Sequence, residues 1–227
     1  MDTPERVCFY EQDFYVLSNF SAFSIKWKGL RFDTSEHAYH WEKFPDHPAL
    51  RNAVRDAGSA HESLKIATAN KMFRRSDWDD VKLDVMREII RAKAEQHEYV
   101  RRKLLATGDR ELVENSWRDD FWGWGPNRDG QNWLGKLWME VRLELRIDAM
   151  TPSEVDAYLV SNGFELAQVD ANCARLLAKL EARVVHGVTC QKAPHDPQRA
   201  GYLHEANDDS PYSVDGMRYC GRCHYAL

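Results

Sequence analysis

No stretch of the 227-residue chain reaches the ~20 consecutive apolar residues that span a bilayer, so the sequence offers no transmembrane helix. The first ten residues, MDTPERVCFY, are acidic and polar without an apolar core, and no signal peptide is visible. An excess of basic charge is also missing. The formal net charge is −5 and the pI about 6.0, which argues against a sequence-blind nucleic-acid binder while leaving room for a local basic groove. Cysteine is sparse and odd in number, at Cys8, Cys173, Cys190, Cys220 and Cys223, so a disulfide framework is not indicated and a cytoplasmic location is expected. Internal repeats and low-complexity tracts are absent. Tryptophan, by contrast, is plentiful: eight residues are enough for both a core and a stacking pocket.

The opening, to about residue 33, reads as short strands. VCFYEQ is apolar and aromatic, and FSIKWKGLRF places Ile25, Trp27, Leu30 and Phe32 around a Lys28-Gly29 turn, a hairpin pattern. Thr34 or Ser35 caps a short helix over TSEHAYHWEKF, ended by Pro45 and Pro48. Two further helices follow, in PALRNAVRDAG and AHESLKIATANKMF. A long one is capped by Ser76 or Asp77, and its stripe of Val81, Val85, Met86, Ile89, Ile90 and the stem of Lys93 faces the core. YVRRKLLAT continues helically. RELVENS is strand-like, WRDDFWGWGPNRDG is a loop, and NWLGKLWMEVRLELRI is a helix with Leu134, Leu137, Trp138, Val141 and Leu145 inward. A boundary falls near MTPSE at 150–154, followed by two amphipathic helices and, from residue 186, a polar, turn-rich segment without a core of its own. The fold class is α+β, mostly helical.

Three stretches hold more reactive groups than packing needs. Glu36, His40 and Lys43 follow i, i+4, i+7 spacing and share one helix face. Taken alone, Glu36 with Lys43 reads as a solvated surface pair. His37 and His40 are three residues apart with no third ligand nearby, which disfavours a metal helix. The Asp119–Gly125 loop combines two acids with glycines and tryptophans, which suits either a pocket rim or a surface loop folded back on the core. Trp78 lies at the first turn of the long helix, off its apolar stripe, placed to staple the helix start or to offer a flat face to a ring.

Together, FYVLSNFSAF, TSEHAYHWEKF, SDWDDVK…MREIIRAKAEQH, LVENSWRDDFWGWG and GQNWLGKLWMEVRLEL resemble, in order, the motif blocks of the NADAR family, over roughly residues 7 to 148. The resemblance implies a compact, mostly helical α+β domain over 1–150 with N-glycosidase activity. One branch of that family acts on phosphorylated intermediates of riboflavin synthesis, and another removes ADP-ribose from modified guanine. Residue by residue, it implies catalytic roles for Glu36, Asp119 and Lys43, a ring-stacking role for Trp78, and pocket roles for Asn19 and Asn132. Phe20, beside Asn19, and Trp122, in the Asp119 loop, complete the candidate substrate-binding set. The 45–76 region is compressed relative to the family, which leaves phosphate contacts from Arg74 and Arg75 unassigned.

The chemistry suits these residues. Breaking an N-glycosidic bond builds positive charge on the ribose C1′ and negative charge on the departing base. One carboxylate can stabilise the first and activate water, while a second acid protonates the leaving nitrogen or orients the sugar hydroxyls. Glu36 is the expected principal acid/base. Lys43 could capture the ring-opened sugar as a Schiff base or anchor a phosphate. No cofactor is required for catalysis. Expected substrates are a small nucleotide-like molecule or ADP-ribosylated guanine in nucleic acid. The alternative is a non-catalytic binder of ADP-ribose-like ligands.

The tail adds a separate expectation. YCGRCH is a tight Cys-x-x-Cys knuckle, and Cys190, His195, Cys220 and Cys223 supply four N/S ligands for a structural Zn²⁺, with His186 and His224 as alternatives to His195. The expected organisation is therefore 1–150 as the glycosidase-like domain, 151–185 as a helical connector and 186–227 as a zinc-binding segment. The helices at 152–183 are candidates for an oligomer contact.

Overall fold

The computed structural model describes residues 2–10 and 14–161, with 213–214 and 217–218. The N-terminal strand β1 (Arg6–Phe9) leads to a 3₁₀ turn at Tyr15–Leu17 and then to the hairpin β2 (Ile25–Trp27) and β3 (Leu30–Phe32). The hairpin turn is Lys28-Gly29, both at positive φ (47° and 79°), as a two-residue turn between twisted strands demands. Helices α1 (Ser35–Glu42), α2 (Pro48–Arg55), α3 (Ala60–Ala69), α4 (Trp78–Gln96) and α5 (Glu98–Leu105) follow, then β4 (Glu111–Glu114), α6 (Trp133–Ala149) and α7 (Pro152–Ser161). The α+β, mostly helical expectation holds for the described residues.

β1 and β4 pair in parallel, Arg6 opposite Glu111 and Phe9 opposite Glu114, although about a hundred residues separate them. The core gathers around this pair from Val7, Phe9, Leu112 and Val113, with Met86, Ile89 and Ile90 of α4 and Leu134, Leu137, Trp138 and Val141 of α6 also buried. Val81 and Val85 are only half-buried, and Leu83 takes the inward position instead. Asp77 occupies the N-cap position of α4 without capping it, because its carboxylate is drawn to Arg75. The chain does not run straight from α4 into α5: His97 turns extended (φ −127°, ψ 102°), and its ring contacts the Ser24 carbonyl at 2.7 Å. Cys8 is half-buried.

The chain divides into two compact units, residues 1–142 and 143–227. In the second, α7 opens with a capping box in which Thr151 and Glu154 bond reciprocally, and Val155 is buried. Two short strands, β5 (Ser213–Val214) and β6 (Met217–Arg218), pair antiparallel. The expected zinc ligands Cys190, His195, Cys220 and Cys223, their alternatives His186 and His224, and the helical stretch beyond residue 161 lie outside the described residues. No helix among the described residues is long and apolar enough to cross a membrane.

Candidate active site

Helix α1 is polar in sequence yet buried at all eight positions. Burying polar groups is costly unless each finds a partner, so the helix reads as a set of solved pairings. Thr34 caps the N-terminus, accepting from the His37 N–H. The His37 ring then spans from Thr34 Oγ1 (2.8 Å) to the Ala57 carbonyl (3.1 Å), which assigns its proton to Nε2. Glu42 accepts from Trp27 Nε1 at 2.6 Å and meets Lys28 at 2.8 Å. Arg51 lies flat on the Trp41 ring, 3.4 Å from its centroid.

Glu36 and His40 are the pair that packing alone does not account for. His40 Nε2 lies 2.7 Å from Glu36 Oε1, but neither ring nitrogen completes a well-formed hydrogen bond. Burial pushes the Glu36 carboxyl up, yet His40, Lys43 and His37 together outweigh it and hold it below the ordinary carboxylate value. Burial drives His40 down and Glu36 only partly offsets this.

Lys43 closes the C-terminus of α1. Burial, opposed mainly by Glu36, lowers its ammonium to about 8. Its Nζ sits 4.8 Å from the Tyr39 ring centroid and 5.5 Å from that of Trp78. The expectation that Glu36 and Lys43 form a solvated surface pair is therefore corrected: Glu36 is 8 % exposed and Lys43 is half-buried against two rings.

Tyr39 joins the pieces. Its ring centroid lies 4.9 Å from Trp78 and 5.5 Å, edge-on, from Trp122. Burial and then Glu36 raise its hydroxyl well above the ordinary value, with Asp119 adding to the effect and the Trp78 indole N–H opposing it. Tyr39 thus stands within the fields of both candidate acids. Trp78 is 2 % exposed, so its face is packed by Tyr39 and Lys43 rather than open to solvent.

The Asp119 loop is anchored by backbone as well as side chain. Asp119 Oδ1 accepts from the N–H groups of Phe121 and Trp122 at 2.9 and 2.8 Å, both bonds falling on one oxygen. The loop carbonyls of Asp120, Gly123, Phe121 and Trp122 accept from Gln131, Asn132, Trp133 and Leu134, absorbing N–H groups that a helix start otherwise leaves unpaired. A Cβ at Gly123 would come within 2.7 Å of the Glu114 carbonyl, and one at Gly130 within 2.7 Å of three backbone atoms. Those glycines are what let the loop lie so close to the sheet.

The remaining candidates divide. Asn19 is brought to the site: its carbonyl accepts from the Glu36 N–H at 3.2 Å, and its Nδ2 contacts Met86 Sδ at 3.2 Å. Its Oδ1 is buried without a hydrogen-bond partner. Phe20, the next residue, is 46 % exposed. Asn132 is committed elsewhere, Oδ1 accepting from Glu114 N–H at 3.0 Å and Nδ2 donating to the Leu112 carbonyl at 2.9 Å. Its left-handed backbone (φ 52°) is one that asparagine tolerates.

Two groups were not singled out from sequence. Glu114, at the end of β4, is pushed up to about 8 by burial, then by Asp119 and Glu36, so it carries a proton at pH 7 beside two carboxylates. An acid ending a short strand has no sequence signature apart from its place inside LVENS. Lys93 is wholly buried, its stem legible as core but not its ammonium.

The buried helix α1 thus brings Glu36 and His40, with Lys43 at its end, against an aromatic cluster of Tyr39, Trp78 and Trp122. The NADAR domain family matches residues 8–146, and the chain belongs to that family. It is 39 % identical over 136 residues to N-glycosidase YbiA of Escherichia coli strain K12, covering 60 % of this chain and 84 % of that one. It is 38 % identical over 144 residues to N-glycosidase Npun_R5314 of Nostoc punctiforme, covering 62 % and 92 %. Against Riboflavin biosynthesis protein VVA0006 of Vibrio vulnificus it is 39 % identical over 142 residues, 62 % of this chain but only 38 % of that protein. The NMR structure of YbiA from E. coli superposes with a TM-score of 0.60 at 36 % identity, covering 66 % of this chain and 89 % of that one. The mostly helical architecture is that of YbiA, and the chain is an enzyme of the N-glycosidase class.

Proposed function

We propose that the chain hydrolyses a base–ribose N-glycosidic bond in a ribosylated or ADP-ribosylated substrate, either a ribosylaminopyrimidine phosphate or an ADP-ribosyl-guanine. The observation that carries this reading is the buried Glu36, held ionised between His40 and Lys43, with Asp119 and a protonated Glu114 around the same aromatic cluster. As the C1′–N bond lengthens, an ionised Glu36 offsets the charge growing on the sugar and takes a proton from the attacking water. Glu114 is the acid that holds a proton at pH 7, available to the departing nitrogen. Asp119 orients sugar hydroxyls while its Oδ1 keeps the loop closed. Half-buried Trp122 is the ring of the cluster open to a base, with Tyr39 and Trp78 packed behind it, and Phe20 is an exposed ring. No metal or organic cofactor takes part.

With its ammonium lowered to about 8, Lys43 has an accessible amine form near neutral pH. After hydrolysis the free sugar opens to its aldehyde, and the Lys43 amine can add to it with loss of water to form an imine. Borohydride trapping of a Lys43 adduct tests this branch. For the reaction itself, the chain is incubated separately with ADP-ribosylated guanine DNA and with a ribosylaminopyrimidine phosphate, and base release is followed. Release abolished by Glu36→Gln supports the enzyme reading; tight binding of ADP-ribose with no release from either substrate supports a binder instead. The tail is proposed to hold one structural Zn²⁺ through Cys190, His195, Cys220 and Cys223, and metal content well below one per chain ends that proposal.

A further inference from the structure

Lys93 lies on the inward face of α4 with no exposed surface. Its ammonium donates to the Ser18 carbonyl at 2.9 Å and to Ser21 Oγ at 2.7 Å, with the Phe23 and Trp138 rings 5.4 and 6.0 Å away. An ammonium buried against rings and neutral oxygens is costly, and a methionine would fill the same space without that cost. What the lysine does is grip one loop. Ser21 Oγ also reaches the Ser18 carbonyl at 2.7 Å, and Trp138 Nε1 donates to the neighbouring Leu17 carbonyl at 2.7 Å. Two consecutive carbonyls are thus pinned from inside by α4 and α6, and the next residue is Asn19.

Asn19 is where the pinned loop meets the site. Its carbonyl holds the Glu36 N–H, and its buried Oδ1 lacks a hydrogen-bond partner. A buried amide oxygen without a donor is destabilising, and this one, on the residue whose carbonyl holds the Glu36 N–H, is placed for a donor that arrives with a ligand. We infer that Lys93 is a positioning residue: it fixes the Leu17–Ser21 loop so that Asn19 presents Oδ1, next to Glu36, to an O–H or N–H donor of the substrate, a ribose hydroxyl or a base amino group. This rests on the nucleoside pocket proposed above.

The test is a double-mutant cycle on kcat/KM for base release, using Lys93→Met, Asn19→Ala and the pair. Each single change lowers kcat/KM by about tenfold or more, and the pair falls no more than about twofold below the worse single, because both act through one contact. Wild-type kcat/KM in Lys93→Met, or losses that multiply, overturns the inference. A second arm needs no activity: amide exchange at Glu36 quickens by about tenfold in Lys93→Met while Val113 of β4 is unchanged. Equal Glu36 rates in both proteins also overturn it. Absence of base release by the wild type defeats the enzyme reading, and the exchange arm still decides the role of Lys93. Should Lys93→Met fail to fold, Ser21→Ala removes one of the two acceptors, with an intermediate loss of kcat/KM expected and an unchanged value refuting the inference.

Discussion

The most quantitative consequence of the Lys93 burial is a slope of stability against pH. Burial alone lowers its ammonium from the ordinary 10.5 to about 7. Between those values the unfolded chain binds a proton that the folded chain does not, so stability rises with pH through this window and is lowest below about 7. At about 1.36 kcal/mol per pH unit, the whole window corresponds to roughly 5 kcal/mol, of which about 2 kcal/mol accrues between pH 7 and 9. Lys93→Met removes this proton without stranding the Ser18 carbonyl, which keeps the Ser21 N–H and Oγ as donors. The loss of two hydrogen bonds subtracts about 1 kcal/mol each at every pH, so it shifts the curve without tilting it. Urea unfolding of wild type and Lys93→Met at pH 6, 7, 8 and 9 isolates the slope, since the titrations of Lys43 and Glu114 are common to both and cancel. The wild type should gain about 2 kcal/mol on the variant from pH 7 to 9. Parallel curves would mean that the folded ammonium titrates near its ordinary value, and the reasoning from burial would fail.

Glu36→Gln should leave the fold intact, since an amide fills the same space, and lower kcat by about 10²- to 10⁴-fold in steady-state assays. Glu114 titrates at about 8; activity should therefore fall as pH rises through that value, and Glu114→Gln should remove this limb from the pH–rate profile. Asn132→Ala breaks two bonds to β4 and should cost about 2–4 kcal/mol in a denaturation curve. Gly135→Ala is the harshest change, because its Cβ would fall 2.0 Å from the Leu112 carbonyl; a loss above about 4 kcal/mol or failure to fold is expected, read by thermal melting.

Local order was legible in the sequence because local order is periodic. The Lys28-Gly29 turn, the cap at Thr34 and the inward stripe of α6 all appear where the pattern places them. The β1–β4 pairing was not legible, since nothing in RVCF points to a partner at Glu111. Asp77 misled because a capping residue beside an arginine has two choices, and Arg75 took it. For the site, i, i+4, i+7 spacing put Glu36, His40 and Lys43 on one face but could not say whether that face was wet. The answer depended on α2, α3 and α4 all packing against α1. Glu114 and the Lys93 ammonium escaped notice for the same reason: their character comes from burial, which a single charged letter in a strand or a stripe does not declare.

Asn132 also bears on the outer edge of β4. A two-stranded sheet has two edges, each able to template another chain. On the β4 side away from β1, the asparagine amide accepts from Glu114 N–H and donates to Leu112 C=O, the bonds a third strand would make, while Trp124 N–H takes the Glu114 carbonyl. A side chain stands in for a strand, and that edge is closed to intruders. The closure also holds the end of β4 in place, and with it the backbone that carries Glu114.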